Sequence, residues 1–409
     1  MYIEIGLREM GKTGPHQKEF ETPENWLKFI SYWNKLLIES SLSGRNAHPA
    51  SLRTQPIRRR QKILPENRMR RSFVLFAALG SFLALQARGQ VEEPLRLVQN
   101  IPMPDFADGD FDHFAVDLKG HRLFLAAEDN SAVAVLDLSA NTLIHTIKGL
   151  KAPHSMVYRP DVKKLYVVDG DAAELKIYNG DSYELTGRIP LHEDADSSAF
   201  DPSTSYMYIA SGGEVGGAPY SLINIVDTTT EKKIDEIRVE FDRLEGIALE
   251  QSGTRLFTKI PSQNSIAVID RSKKSVIATW SFKQEGTGRI GPIAFDEPGH
   301  RLFVTAPNPG RLIVMDSQSG KIVSSLPCVG IFDEAFYDVN SRRLYIAGVP
   351  FLNVVQKSGH GDRYDILGQI PTAFHAITGI LIPELNHYYL AVNRHGQTPS
   401  KVQVYEVIP

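Results

Sequence analysis

Carboxylates and imidazoles recur in this chain at one fixed place. Asp112, His154, Asp196, Glu245 and Asp333 each stand eleven residues before the anchor of an apolar-aromatic segment, at Leu123, Leu165, Met207, Leu256 and Leu344. Gly291 and Ile377 hold the same place before Leu302 and Tyr388. His113, Glu334, Arg243, Arg289 and His375 lie close by in sequence, and Arg394 and His395 open a later polar run that ends at Pro399. Crowded carboxylates raise one another's pKa unless a cation compensates, so such a group can hold a cation, act as a general base or recognise a cationic ligand. Oxygen ligands suit Ca²⁺ or Mg²⁺, and the histidines bring in a transition ion such as Zn²⁺. The plainer alternative is a set of solvated side chains along a water-filled passage.

Other chemistry has little support. No GxSxG elbow, Walker loop, HExxH helix or dinucleotide fingerprint occurs in a supporting context. The glycines at 212, 213, 216 and 217 resemble a phosphate loop by composition only, because they link two strands. Cys328 is the single cysteine, so no intramolecular disulfide or thiolate cluster can form, and a small buried role is expected for it. His121, His300 and His387 fall in repeated turns on the opposite side. Asp117, Asp201, Glu250, Asp296 and Asp338, six residues before their anchors, are expected to hold a hairpin by accepting backbone N–H groups.

The elements that must position these residues are strands. Seven segments, HRLFLAA, KKLYVVD, SYMYIAS, TRLFTKI, HRLFVTA, RRLYIAG and HYYLAVN, repeat at spacings of 42, 42, 49, 46, 42 and 44 residues between anchors. Each is followed by further alternating segments, such as AVAVLDL with TLIHTIK, separated by hairpin turns. Periods in this range with all-strand content signify propeller blades. The sequence therefore predicts an all-β, seven-bladed β-propeller of four-stranded blades over residues 91–409. The last unit ends at KVQVYEVI and lacks a fourth strand, which PLRLVQNIPM at 94–103 can supply. Closure by that strand would remove an exposed sheet edge.

The units LYVVDG, AVIDRS and IVMDSQSGKIV resemble the YVTN-type bacterial propeller repeats, which are related to surface-layer propellers. The resemblance covers residues 95 to 409, although the YVTN tetrapeptide itself never occurs. It implies a secreted or periplasmic seven-bladed scaffold and is nearly silent about activity.

Charge and the first ninety residues complete the reading. The first 89 residues carry 15 Lys and Arg against 7 Asp and Glu, which leaves residues 90–409 at −11 within a whole-chain charge of −3. An acidic body argues against nucleic acid as the main partner, since backbone affinity comes from clustered Lys and Arg. Residues 69–89 place two arginines before an uncharged stretch of thirteen residues, Phe73 to Leu85, with Ala87 and Gly89 behind it. That is the pattern of a signal peptide, and it falls short of the roughly 20 residues a membrane-spanning helix needs. Residues 1–68 read as an extension that is disordered or lies upstream of a mis-assigned start. The expectation is a monomeric periplasmic or secreted binding scaffold that captures a protein, glycan or small-molecule ligand at its loop face. A metal-assisted lactonase-like hydrolase or lyase at the axial mouth is the alternative, and an envelope component a third.

Overall fold

The computed structural model describes residues 93–409 except 287, 288, 308, 329 and 360. The expected extension and signal peptide lie outside the described residues. Seven four-stranded antiparallel sheets follow one another along the chain. In blades 1 to 6 the strands run in sequence order from inside to outside; in blade 7 the outer strand is Leu95–Pro102, paired with Lys401–Val407. The ring is therefore closed by the two ends of the propeller, as the missing fourth strand predicts. No helix among the described residues is long and apolar enough to cross a membrane.

Burial explains the composition of the strands. The two middle strands of blade 1, Arg122–Ala127 and Ala132–Asp137, are buried almost throughout, because their side chains enter the layers on both sides of the sheet. The outer strand Ser275–Ser281 alternates exposed and half-buried residues. One apolar layer joins the closing strand's Ile101, and Met103 just after it, to blades 1 and 7, and another joins the strand's Leu95 to blades 6 and 7. The closing strand thus contributes to the cores on both sides of blade 7.

Every outer strand carries one bulged residue: Val98, Ile144, Thr186, Ile234, Ile277, Val323 and Leu367. A bulge leaves a residue out of the ladder and twists the strand, which blunts an edge that could otherwise pair with another chain. The hairpins behave as their acidic residues predict. Asp117 accepts the N–H of Gly120, Asp201 that of Ser203, Glu250 that of Arg255, Asp296 that of Gly299 and Asp338 that of Asn340. His121 and His300 occupy left-handed turn positions there.

The inner strands matter most for function. They are Phe114–Asp117, Pro153–Arg159, Ser198–Asp201, Glu245–Leu249, Ile293–Asp296, Ile331–Asp338 and Gly379–Ile382. Blades 2, 4 and 6 alone carry a bulge here, at His154–Ser155, Gly246 and Asp333. Gly246 takes φ of +61°, a left-handed conformation that glycine adopts without strain.

Candidate functional site

The first residues of the inner strands and the loops just before them bring most of the expected residues together at the hub. Asp112 and His113 come from blade 1, His154 from blade 2, Asp196 from blade 3, Glu245 from blade 4, and Asp333 and Glu334 from blade 6. Backbone bonds fix the carriers: Asp112 N–H donates to Ala126 O at 2.9 Å and Asp196 N–H to Ala210 O at 3.1 Å. Neighbouring blades are also tied. Ser155 Oγ donates to the Asp196 carbonyl at 2.5 Å, and Gly246 N–H donates to Ser197 Oγ at 2.8 Å.

An ionisable chain runs across four blades. Glu334 Oε2 lies 2.6 Å from His113 Nδ1, whose Nε2 is 3.4 Å from Asp112 Oδ1. Asp112 Oδ2 lies 2.7 Å from His154 Nδ1, which is 4.0 Å from Asp196 Oδ1. A Cβ at position 170 would stand 2.9 Å from His154 Nε2, so only glycine lets that turn close over the ring. The far edge of the imidazole is thereby covered, and Nδ1 faces the carboxylates.

Electrostatics follow from this alternation. Burial opposes a charged His113, yet Asp112 and Glu334 outweigh it and hold the imidazole well above its ordinary value. His154 is raised to about 9: burial works against the charge, and the Asp112 bond and charge overcome it. Burial also opposes the Asp112 carboxylate, but His113 and His154 bring its pKa below the usual range. Asp196 is raised by burial and then by Asp112. Asp333 is exposed to solvent yet closely ringed by protein; that confinement, and then the Asp112 charge, push its carboxyl up to about 7. Glu128, on the loop after the second strand of blade 1, also rises to about 7 through burial, His154 offsetting part of the rise.

Glu245 stands apart from this chain. Lys259 Nζ lies 3.4 Å from it, Arg243 Nε 3.0 Å and Arg289 Nη2 3.1 Å. Burial would raise its pKa, but Lys259, Arg289 and Arg243 together lower it. Three cations leave this carboxylate little capacity for a further one.

The remaining candidates form a rim. His375 Nδ1 lies 2.9 Å from Asp110 Oδ1, to which Asn393 Nδ2 also donates at 2.7 Å. His395 stacks on Phe374 with ring centroids 4.1 Å apart. Arg394 is occupied elsewhere: its Nε donates to Phe106 O at 2.9 Å and its Nη2 to Pro104 O at 2.6 Å, which straps the segment just after the closing strand to the last blade. A separate cleft of about 450 Å³, lined by residues that include His192, Glu193 and Tyr220, contains none of the hub side chains.

Sequence reasoning missed Lys259 and Glu128. Lys259 had a signal: it stands where the other repeats place Ala126, Val168, Ala210, Thr305, Ala347 and Ala391. A lysine in a row of small or apolar residues must send its ammonium somewhere polar. Glu128 had only its place in a loop between the second and third strands.

No family model matches the chain, and no curated protein matches it either. Solved structures do. The chain is similar to a chain of Kuenenia stuttgartiensis hydrazine synthase at 16% identity and a TM-score of 0.60, over 70% of this chain and 94% of that one. It is similar to a chain of a mitotic checkpoint complex at 12% identity and a TM-score of 0.63, over 88% of this chain and 100% of that one. At these identities the likeness shows the propeller fold alone. The YVTN-type resemblance gains a matching fold and no family match.

Proposed function

We propose that the chain is a secreted or periplasmic binding scaffold that takes a small polar ligand at the hub of its loop face. The observation that carries this reading is the linked set Glu334, His113, Asp112, His154 and Asp196 on four blades. Blade packing does not demand it, because blades 5 and 7 build the same ring position with Gly291 and Ile377. Placing carboxylates and imidazolium groups side by side costs desolvation energy that a solvated surface would not. Carboxylates outnumber cations along this set, which suits a ligand with hydroxyl or ammonium groups. The acidic propeller disfavours nucleic acid. The pattern of residues 69–89 supports export, and nothing in the hub needs a second copy of the chain.

Thermal-shift measurements against small sugars and polyamines, on wild type, Asp333→Asn and His113→Gln, test the reading. A probe that raises the wild-type melting temperature by several degrees and fails to do so in the variants supports it. If every active probe shifts wild type and variants alike, or none shifts wild type, the reading falls.

A metal-assisted lactonase-like hydrolase or lyase is the second reading, favoured by the convergence of Asp112, His154 and Asp196. Hydrolysis of simple lactones that needs added Zn²⁺ and is lost in Asp333→Asn would select it over binding alone.

A further inference from the structure

Within the hub, the ring positions of blades 1, 2 and 3 are arranged more narrowly than the rest. One ligand atom each from Asp112, His154 and Asp196 lies within 4.8 Å of the other two. Zinc binds imidazole nitrogen and carboxylate oxygen at roughly 2.0–2.2 Å, which spreads its ligand atoms about 3 to 4 Å apart. The observed separations of 2.7 and 4.0 Å from His154 Nδ1 bracket that spacing. Adjustments of an ångström or less would complete it.

A second observation points the same way. Among the described residues nothing donates a hydrogen bond to the Asp196 carboxylate, and the His154 imidazole stands 4.0 Å away. Asp270, by contrast, accepts Ser272 N–H, Ser272 Oγ and Lys273 N–H. An ionised carboxylate only accepts, so a half-buried one without a donor is poised for a cation. The bond from Ser155 to the Asp196 carbonyl and the close approach of Gly170 to His154 hold two of the three ligands in place from behind. Support of this kind orients metal ligands. Glu245 is excluded by its three cations.

We propose that Asp112, His154 and Asp196 form a site for a divalent first-row transition ion of the Zn²⁺ or Mn²⁺ class. One imidazole with two carboxylates favours such an ion over Ca²⁺ or Mg²⁺, whose sites are built of oxygen. The ion displaces the proton that His154 Nδ1 otherwise shares with Asp112 Oδ2 and releases it to solvent, and three protein ligands leave coordination positions for water or for a ligand entering the hub. The inference rests on the hub being the functional site.

The test uses the full chain stripped with a chelator, titrated with Zn²⁺ alone by calorimetry and assayed for retained metal after gel filtration. One ion per chain is expected, with affinity at least 100-fold weaker in His154→Gln and Asp196→Asn and unchanged in His192→Gln, a histidine outside the hub. Circular dichroism melts check folding. Absence of saturable binding, or equal binding by His154→Gln and Asp196→Asn, overturns the site. If both variants misfold, Co²⁺ absorption of the wild type decides: ligand-field bands of a bound ion that Zn²⁺ displaces support it, and the spectrum of free aqueous Co²⁺ overturns it. Sugar or polyamine probes that bind while Zn²⁺ does not would sink the metal site and leave the binding reading standing. One tightly bound ion with no organic ligand found would do the reverse.

Discussion

Truncating Ile101 to alanine should destabilise the propeller far more than truncating Val98 on the same strand. Ile101 is fully buried in the layer between blades 7 and 1, whereas Val98 is 47% exposed at a bulge. Removing a buried Ile side chain to the β-carbon costs about 2–5 kcal/mol, from lost transfer energy and the cavity left behind. An exposed apolar side chain costs within about 0.5 kcal/mol. For a domain of this size each kcal/mol lowers Tm by roughly 2 °C or less, so Ile101→Ala should lose up to about 10 °C. Equilibrium urea melts of wild type, Ile101→Ala and Val98→Ala, followed by tryptophan fluorescence, measure the difference. The reasoning rests on this strand sealing two interblade layers, so Leu95→Ala should behave like Ile101→Ala. If Ile101→Ala matches Val98→Ala within error, the strand does not hold the ring shut.

Three further outcomes are expected. Deleting residues 91–104 removes the outer strand of blade 7 and should abolish the cooperative melting transition; an unchanged transition in calorimetry would contradict the closure. Asp201→Asn should cost about 3 kcal/mol at pH 7, since it breaks a pair with Arg271 whose side chains are 4% and 8% exposed. Burial alone would raise the Asp201 pKa, but Ser203 and Arg271 lower it, so its stabilisation is present above about pH 3.9 and lost as pH falls through the lowered folded value. The gap between wild type and variant in urea melts should therefore narrow toward pH 2, and a constant gap would refute the linkage. Cys328 is fully buried, and burial pushes its thiol up to about 12, so a maleimide should label the protein only after denaturation; fast labelling of the native chain would contradict this.

The period of 42 to 49 residues and the incomplete last unit were sufficient for the seven blades and for the closing strand. Strand alternation and turn chemistry are local, and a blade whose faces are apolar can bury them only against another blade. The ring positions were legible for the same reason: a fixed count back from each anchor reaches the same point of every blade. Tertiary structure alone decided which of those residues work together. Glu334 meets His113 across 221 residues of sequence, and Glu245 is neutralised by a lysine from its own blade and two arginines. Arg394 spends its donors on the carbonyls of Pro104 and Phe106. The bulges at His154–Ser155, Gly246 and Asp333 depend on the pairing register of each sheet. A repeat determines where a side chain starts, because backbone geometry is periodic. Which partner it reaches depends on distances across the ring, which no period in the sequence encodes.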